Sequence, residues 1–323
     1  MTARLRIGLV VGAVAALAAA VAVGAAVLQS EEDPAAERAG ATGAAPPLLL
    51  DLGLRRDARA AALRRAARLY DRGRRDEAGE IFRRQDSLDG QIGLALARWP
   101  HGSVERLEQL TRVHPRVALV HLNLGLALFW SDRRDEALVA WRAATRVEPD
   151  SVSSVRASDL LHPNSPRGLP TFVPSFRPPA ALAGLSPARQ LAQLATAARS
   201  GGVRPKLLYG VALQRVGRPR SAERVYAAAA AVDPKSVEAQ VAAAVGRFTK
   251  ERPERAFSRL GPLARRYPRE PTVRFHLGLL LLWLGELEQA KRQLALASAA
   301  GDDDPLAREA GRFLRRLKGS ETG

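Results

Sequence analysis

The stretch HLNLGLALFWSDRRDEALVAWRAATRVEP, residues 121–149, decides the fold. It predicts a first helix that carries Gly125 and a second helix that carries Ala137, and both residues are small enough to let two paired helices approach closely. Trp141 follows the alanine by four residues and supplies bulk. Pro149 ends the stretch, where a missing backbone N–H stops the second helix.

The same arrangement recurs along the chain with a period of 34 residues. Residues 206–234 and 275–297 repeat the order of small, small and large positions. A fixed period of this length indicates a repeat architecture in which identical helix pairs stack on one another. The recurring small positions are Gly210, Ala244 and Gly278 on first helices and Ala222, Ala256 and Ala290 on second helices.

These positions give the body a resemblance to tetratricopeptide repeat (TPR) proteins, in which 34-residue helix-turn-helix units stack. The resemblance implies an all-α, TPR-type solenoid of helical hairpins, with about seven repeats, two of them irregular. We expect the large residue after each second-helix alanine to fill the space towards the next repeat. These large residues are Phe82, Trp141, Tyr226, Leu260 and Leu294.

The two irregular repeats are located by departures from the period. The second-helix alanine is replaced by Ser103 only 25 residues after Ala78, which predicts a short second repeat. A Pro-rich insertion, residues 162–184, separates the two helices of the fourth repeat and carries Phe172 and Phe176. Its prolines exclude a helix. The insertion has two interpretations: it packs back on its own repeats, or it is a docking strap over the binding groove.

The first thirty residues predict a membrane anchor. Residues 7–28 contain no charge and no hydrogen-bonding side chain, and at about 1.5 Å per residue they span roughly 33 Å, the thickness of a bilayer core. Arg4 and Arg6 precede the run and acidic residues follow it, which predicts a cytoplasmic N-terminus and an extracytoplasmic body. A cleaved signal peptide and the opposite orientation are the alternatives. Small residues spaced by four along the run also allow weak self-association of the transmembrane helix.

The sequence therefore predicts six segments. They are an N-terminus with a transmembrane helix (1–28), a flexible linker (29–58), N-terminal TPR units (59–161), the Pro-rich insertion (162–184), C-terminal TPR units (185–302) and a capping helix (303–318).

Composition narrows the function classes. The 323 residues carry a net charge of +17 and contain no cysteine, which excludes disulfides, thiolate metal sites and cysteine nucleophiles. The five histidines show no metal-site spacing, and no nucleotide-binding or hydrolase motif is present. We expect no catalysis, cofactor or metal, and no nucleic-acid partner. The basic surface leaves open an electrostatic tether to anionic envelope polymers or lipid headgroups.

The TPR resemblance implies a partner-binding groove along the first helices. The alternative is that Phe129, Phe248 and Leu282 simply pack against neighbouring first helices. We predict a membrane-anchored scaffold or assembly factor of the cell envelope that binds a protein or peptide segment in this groove. The predicted groove residues are Leu122, Leu126, Phe129, Trp130, Val211, Gln214, Arg215, Val241, Phe248, Phe275, Leu279, Leu282 and Trp283.

Overall fold

A computed structural model describes residues 45–319, which are helical apart from turns and extended segments. The chain forms two compact lobes, which we call the N-terminal lobe (residues 45–161 of the described chain) and the C-terminal lobe (residues 162–319). The predicted transmembrane segment, 7–28, and the first part of the predicted linker lie outside the described residues. Within 45–319, none of the helices has both the length and the apolar character needed to cross a membrane.

The N-terminal lobe consists of three antiparallel helix pairs followed by a single helix. The first helices of successive pairs also contact one another, and together they form what we call the first-helix face of the lobe. The helices are α1 (Ala58–Asp71), α2 (Arg75–Arg83), α3 (Leu88–Ala97), α4 (Ser103–Val113), α5 (Ala118–Trp130), α6 (Arg134–Val147) and α7 (Val152–Leu161).

The C-terminal lobe has the same kind of core. Three helix pairs, α9/α10, α11/α12 and α13/α14, are preceded by α8 and closed by α15, and the first helices again form a first-helix face. A short 3-10 turn, Ala180–Leu182, precedes α8. The helices are α8 (Pro187–Ser200), α9 (Val203–Arg215), α10 (Pro219–Val232), α11 (Val237–Val245), α12 (Glu254–Arg266), α13 (Pro271–Trp283), α14 (Leu287–Ser298) and α15 (Pro305–Gly319).

Small residues on the first helices make room for large residues on the second helices. A Cβ atom at Gly125 would lie less than 3.0 Å from the Trp141 indole, so the ring occupies the space that a side chain would need. The close approach of the paired helices, which the 34-residue spacing predicted, is therefore confirmed. The matched pairs are Gly125 with Trp141, Gly210 with Tyr226 and Gly278 with Leu294.

The large second-helix residues pack on their own first helix as well as on the next repeat. Phe82 does reach the next repeat, where its ring fills the space beside Gly93 of α3. Tyr226 lies between its own first helix and Gly246. Trp141 and Leu294 pack on the glycine of their own first helix.

The irregular repeats have the local structure that the sequence indicated. The second pair is short, and the Ser103 hydroxyl at its second-helix position donates to the Ala95 carbonyl oxygen at 2.8 Å, which satisfies a buried polar group. The two helices assigned to the fourth repeat contribute to different lobes. Helix α7 packs on α5 and α6, whereas α8 packs on α9 and is capped at its start by the Ser186 side chain, which accepts the Arg189 N–H.

The capping helix is amphipathic. Helix α15 packs on α13 and α14 through buried apolar residues, and its basic residues lie on the other side. Phe313 stacks edge-on against Phe275 of α13, with ring centroids 5.7 Å apart. The helix therefore covers the apolar end of the C-terminal lobe, as expected of a terminal cap.

Candidate functional site

The predicted groove residues of the N-terminal lobe are buried or half-buried. Leu122 and Leu126 are buried in the core. Phe129 is half-buried between Trp130 and Trp141, with ring centroids 5.7 Å from each. Both rings belong to its own helix pair, α5 and α6, whereas the packing alternative named a neighbouring first helix.

An extended segment covers the first-helix face of the N-terminal lobe. We call residues 45–52 the lead segment; its Leu48 and Leu52 are buried against the helices. The lead segment belongs to the region that we predicted to be a flexible linker, 29–58, and that prediction is wrong for this part. The reason is its four leucines, which gain stability by leaving water at about 25 cal/mol per Å² of apolar surface.

Polar side chains of three first helices hold the backbone of the lead segment. Asn123 of α5 accepts the Leu49 N–H at Oδ1 (3.1 Å) and donates from Nδ2 to the Leu49 carbonyl oxygen (2.8 Å). Tyr70 of α1 donates its hydroxyl proton to the Pro46 carbonyl oxygen at 2.6 Å. Asp89 of α3 accepts the Asp51 N–H at 3.3 Å.

Burial shifts the ionisation of two of these groups. It raises the pKa of Tyr70, which keeps the phenol protonated as a donor. It also raises the pKa of the Asp89 carboxyl group, against the effect of the Asp51 N–H that this group accepts.

The predicted groove residues of the C-terminal lobe are also largely buried. Phe248 packs edge-on against Trp283 of a neighbouring first helix, with centroids 6.1 Å apart, so the packing alternative describes Phe248, and Leu282 likewise lies in the core. Gln214 and Arg215 are half-buried, and burial lowers the pKa of the Arg215 guanidinium group. The remaining buried residues of the predicted set are Val211, Val241, Phe275 and Leu279.

The Pro-rich insertion packs on the C-terminal lobe and crosses its first-helix face. Phe172 is only 1% exposed, and its ring lies between Tyr226 (centroids 5.6 Å apart) and His276 (4.9 Å, stacked). Phe176 is half-buried, with the Arg204 guanidinium group 5.1 Å from its ring centroid. The insertion therefore packs back on its own repeats, as one interpretation stated. The surface on which it packs is the predicted groove, as the other interpretation stated.

The backbone of the insertion is held at four points. Gln214 of α9 accepts the Phe172 N–H at 3.1 Å and donates to the Pro170 carbonyl oxygen at 3.3 Å. Glu238 of α11 accepts both the N–H (2.6 Å) and the hydroxyl proton (2.8 Å) of Ser175. The other two points are the Val173 N–H, which donates to His276, and the Pro166 carbonyl oxygen, which accepts from Lys250.

His276 holds the insertion in its neutral form. The Val173 N–H donates to Nε2 at 2.9 Å, so the ring proton is on Nδ1, which donates to the Thr272 carbonyl oxygen at 2.6 Å. Burial lowers the pKa of His276 to about 4, because the surrounding side chains exclude the water that would solvate an imidazolium. Protonation of Nε2 would place two N–H donors face to face.

Sequence reasoning missed the groups that hold the extended segments. Asn123, Glu238 and Lys250 were not singled out, and His276 was considered only as one of five histidines without metal-site spacing. A usable signal was present, since Asn123 and His276 are polar residues in helices that are otherwise mostly apolar. Such residues are fully buried only when a partner satisfies them. Within 45–319, no group of three or more His, Asp and Glu side chains is placed to hold a metal ion.

Comparison with known proteins gives structural similarity alone. No protein-family model and no curated protein matches the sequence. A tetratricopeptide repeat protein from Parabacteroides merdae is 12% identical over 80% of this chain and 98% of its own, with a TM-score of 0.32. The TPR domain of P58(IPK) is 15% identical over 82% and 81%, with a TM-score of 0.27. The Cut9–Hcn1 structure of the APC/C is 14% identical over 80% and 56%, with a TM-score of 0.26.

All three TM-scores lie below 0.5, so these proteins say nothing about what this chain binds. The helix pairs of each lobe, with small first-helix residues matched to large second-helix residues, have the TPR-type arrangement that the sequence resemblance implied.

Proposed function

We propose that this protein is a membrane-anchored interaction scaffold of the cell envelope that binds an extended segment of another protein on its first-helix faces. One observation carries the proposal: each lobe already holds an extended piece of its own chain there, mainly through backbone N–H and C=O groups. A surface that satisfies backbone groups suits many extended sequences. We further propose that the protein catalyses nothing, because its sequence lacks the enzyme motifs considered above.

Binding to this face is testable by photocrosslinking in cells. Lys250 donates to the insertion at Pro166 and lies 5.8 Å from the Trp283 ring, so a lysine analogue with a diazirine group at this position reports on the face. Lys291, on second helix α14, is the matched control. We expect one protein to be captured from position 250 and not from position 291. Equal capture from both positions would place the partner elsewhere.

Salt separates this function from the electrostatic alternative. A partner held by backbone hydrogen bonds and apolar contacts should stay bound at about 0.5 M salt, where the Debye length falls to roughly 4 Å. A partner held only by the excess of arginine should dissociate. Loss of the crosslink at position 250 in high salt would favour the anionic-polymer tether.

The envelope location rests on the sequence of residues 1–28, with positive charge before the apolar run and acidic residues after it. The test is protease treatment of intact cells from which the wall has been removed. We expect the helical body to be digested while a cytoplasmic control protein survives. Protection of the body would reverse the proposed orientation.

A further inference from the structure

The lead segment and the Pro-rich insertion are contacted at matching intervals. Three contacted residues in each segment are separated by three positions and then by two, and the two sets differ by a constant offset of 124 residues. These residues are Pro46, Leu49 and Asp51 in the lead segment and Pro170, Val173 and Ser175 in the insertion, where Pro166 and Phe172 make additional contacts.

The first of these contacts is made from the same position of the repeat. Tyr70 lies four residues after Ala66, the small residue of α1, and Gln214 lies four residues after Gly210, the small residue of α9. Both side chains donate a hydrogen bond to the carbonyl oxygen of the proline that begins the contacted stretch. The two contacts are therefore equivalent in the repeat position of the donor, in the helix that carries it and in the atom that accepts the hydrogen bond.

The second contact obeys the same rule. Asn123 lies two residues before Gly125 in α5, and His276 lies two residues before Gly278 in α13. Each side chain accepts the N–H of the fourth residue of the stretch. Both are fully buried, so neither position is a chance contact at an exposed surface.

The third contact comes from the first turn of the middle first helix. Asp89 is the second residue of α3 and Glu238 is the second residue of α11, and each accepts the N–H of the sixth residue of the stretch. The third residue is buried in both stretches, as Leu48 in one and Phe172 in the other. Three first helices thus bind an extended stretch in the same register in both lobes.

We infer that the two lobes are duplicate peptide-binding modules that recognise one seven-residue pattern, proline-x-apolar-apolar-x-(Asp or Ser)-apolar. The inference rests on the proposed function and specifies its ligand. PPLLLDL, residues 46–52, and PTFVPSF, residues 170–176, are its two internal examples. The partner presents the same pattern as an extended segment, with an aromatic residue at the third position, and replaces residues 170–176 on the C-terminal lobe.

Physical reasons favour this exchange in the C-terminal lobe. The groups that hold the stretch contact mostly its backbone, so another sequence can make the same hydrogen bonds. The pocket between Tyr226 and His276 accommodates a flat ring at the third position. Arg177 and residues 179–181, which follow the stretch, are exposed. The chain that follows the stretch therefore lies at the surface of the lobe. The proline of the pattern limits the conformational entropy that an incoming segment loses on binding.

The test measures binding of a fluorescent peptide with the sequence of residues 168–178 to the full chain in detergent, by fluorescence polarisation. The internal stretch competes in the wild type, so we expect Phe172→Ala to raise peptide affinity at least about tenfold, because it removes the buried ring of the competitor. A second variant carries a protease site between Ala180 and Ala181, and cleavage there frees one end of the internal stretch without changing it.

Two modified peptides identify the binding mode. Alanine at the position of Phe172 should weaken binding at least about tenfold, since the aromatic pocket stays empty. N-methylation of the amide at the position of Val173 removes only the hydrogen bond to His276 and should weaken binding by a comparable factor.

Three outcomes would overturn the inference. They are no peptide binding by either the Phe172→Ala variant or the cleaved chain while circular dichroism shows both folded, equal binding of the N-methylated peptide, and cleaved chains that assemble into dimers which the peptide does not dissociate. The last result would make a second copy the occupant. Failure here leaves the proposed function standing if position 250 still captures a partner in cells, because that partner would then bind through another pattern.

Discussion

The two lobes hold their extended segments with the same geometry and different chemistry. The N-terminal lobe uses a tyrosine, an aspartate and an asparagine, whereas the C-terminal lobe uses a glutamine, a glutamate and a histidine at the equivalent positions. Register is therefore set by the repeat, which fixes where a side chain points. The identity of that side chain is free to change, provided that it donates or accepts as its position requires.

The difference gives the lobes opposite responses to acid. Burial lowers the pKa of His276 below that of a free histidine, so this group opposes folding as the pH falls. Burial raises the pKa of Asp89, so this group favours the folded state as the pH falls. We expect acid to loosen the insertion on the C-terminal lobe and to leave the lead segment in place.

The largest effect on stability should come from substitutions that prevent the close approach of the paired helices in either lobe. At Gly125 and at Gly210 an added Cβ would lie less than 3.0 Å from the large ring of the second helix. We expect Gly125→Ala and Gly210→Ala each to lower the free energy of unfolding by about 3 kcal/mol through overpacking. Urea unfolding followed by circular dichroism measures the change.

Gly79→Ala is the matched control for these substitutions. A Cβ at this helical position would lie 3.5 Å from its nearest neighbour, the Ala97 Cβ atom, which is an ordinary van der Waals contact. Alanine there should stabilise the protein by about 0.5 to 1 kcal/mol through its higher helix propensity. An unchanged urea midpoint for Gly210→Ala would show that the two helices are farther apart than described.

The next effect is the dependence of stability on pH, which His276 gives to the C-terminal lobe. The pKa of His276 is about 4 in the folded chain, against 6.5 for a free histidine side chain, so its contribution is complete above pH 6.5 and is lost as the pH falls towards 4. The loss amounts to about 3 kcal/mol, since each pKa unit corresponds to about 1.4 kcal/mol. Glu270, whose pKa burial raises, offsets part of this loss. Urea unfolding between pH 7 and pH 4 measures the slope.

His276→Asn converts this position to the residue of the other lobe. Asparagine accepts the Val173 N–H without titrating, so we expect a flatter dependence of stability on pH. Asn123→His is the reciprocal exchange and should introduce an acid-dependent loss. A His276→Asn variant with the pH dependence of the wild type would assign the loss to other groups.

Sequence patterns could predict the helix pairs and could not predict what covers them. Gly210, Ala244 and Gly278 recur every 34 residues because close helix packing allows little but glycine or alanine at these positions, and that restriction leaves a visible pattern. The extended segments leave a weaker sequence pattern. Their contacts are made by backbone atoms, and all residues have the same backbone atoms. Leu48 and Phe172 differ in sequence and fill equivalent places, which only the helix register reveals.

An intermediate effect should follow from removing the asparagine that holds the lead segment. Asn123 is fully buried and makes three hydrogen bonds, two of them to Leu49. Asn123→Ala leaves these backbone groups without partners and should cost about 2 kcal/mol. Hydrogen exchange of the Leu49 amide should become faster, because the free energy of opening at this amide should fall by about the same amount. Asn164→Ala, at an exposed position of the insertion, is the control and should change neither value.

The smallest effect should separate the two carboxylates of the third contact. Glu238 accepts two hydrogen bonds from Ser175 at 2.6 and 2.8 Å, and bonds to a charged acceptor are the stronger kind, so Glu238→Gln should cost about 1 kcal/mol. Asp89 accepts a single bond at 3.3 Å, and burial already disfavours its charge. Asp89→Asn keeps an acceptor oxygen and removes that penalty, so we expect no loss of stability above pH 6. A larger loss for Asp89→Asn than for Glu238→Gln in urea unfolding would mean that the charge at this contact matters more in the N-terminal lobe. The duplicated register would then fix the positions of the contacts without fixing their relative strengths.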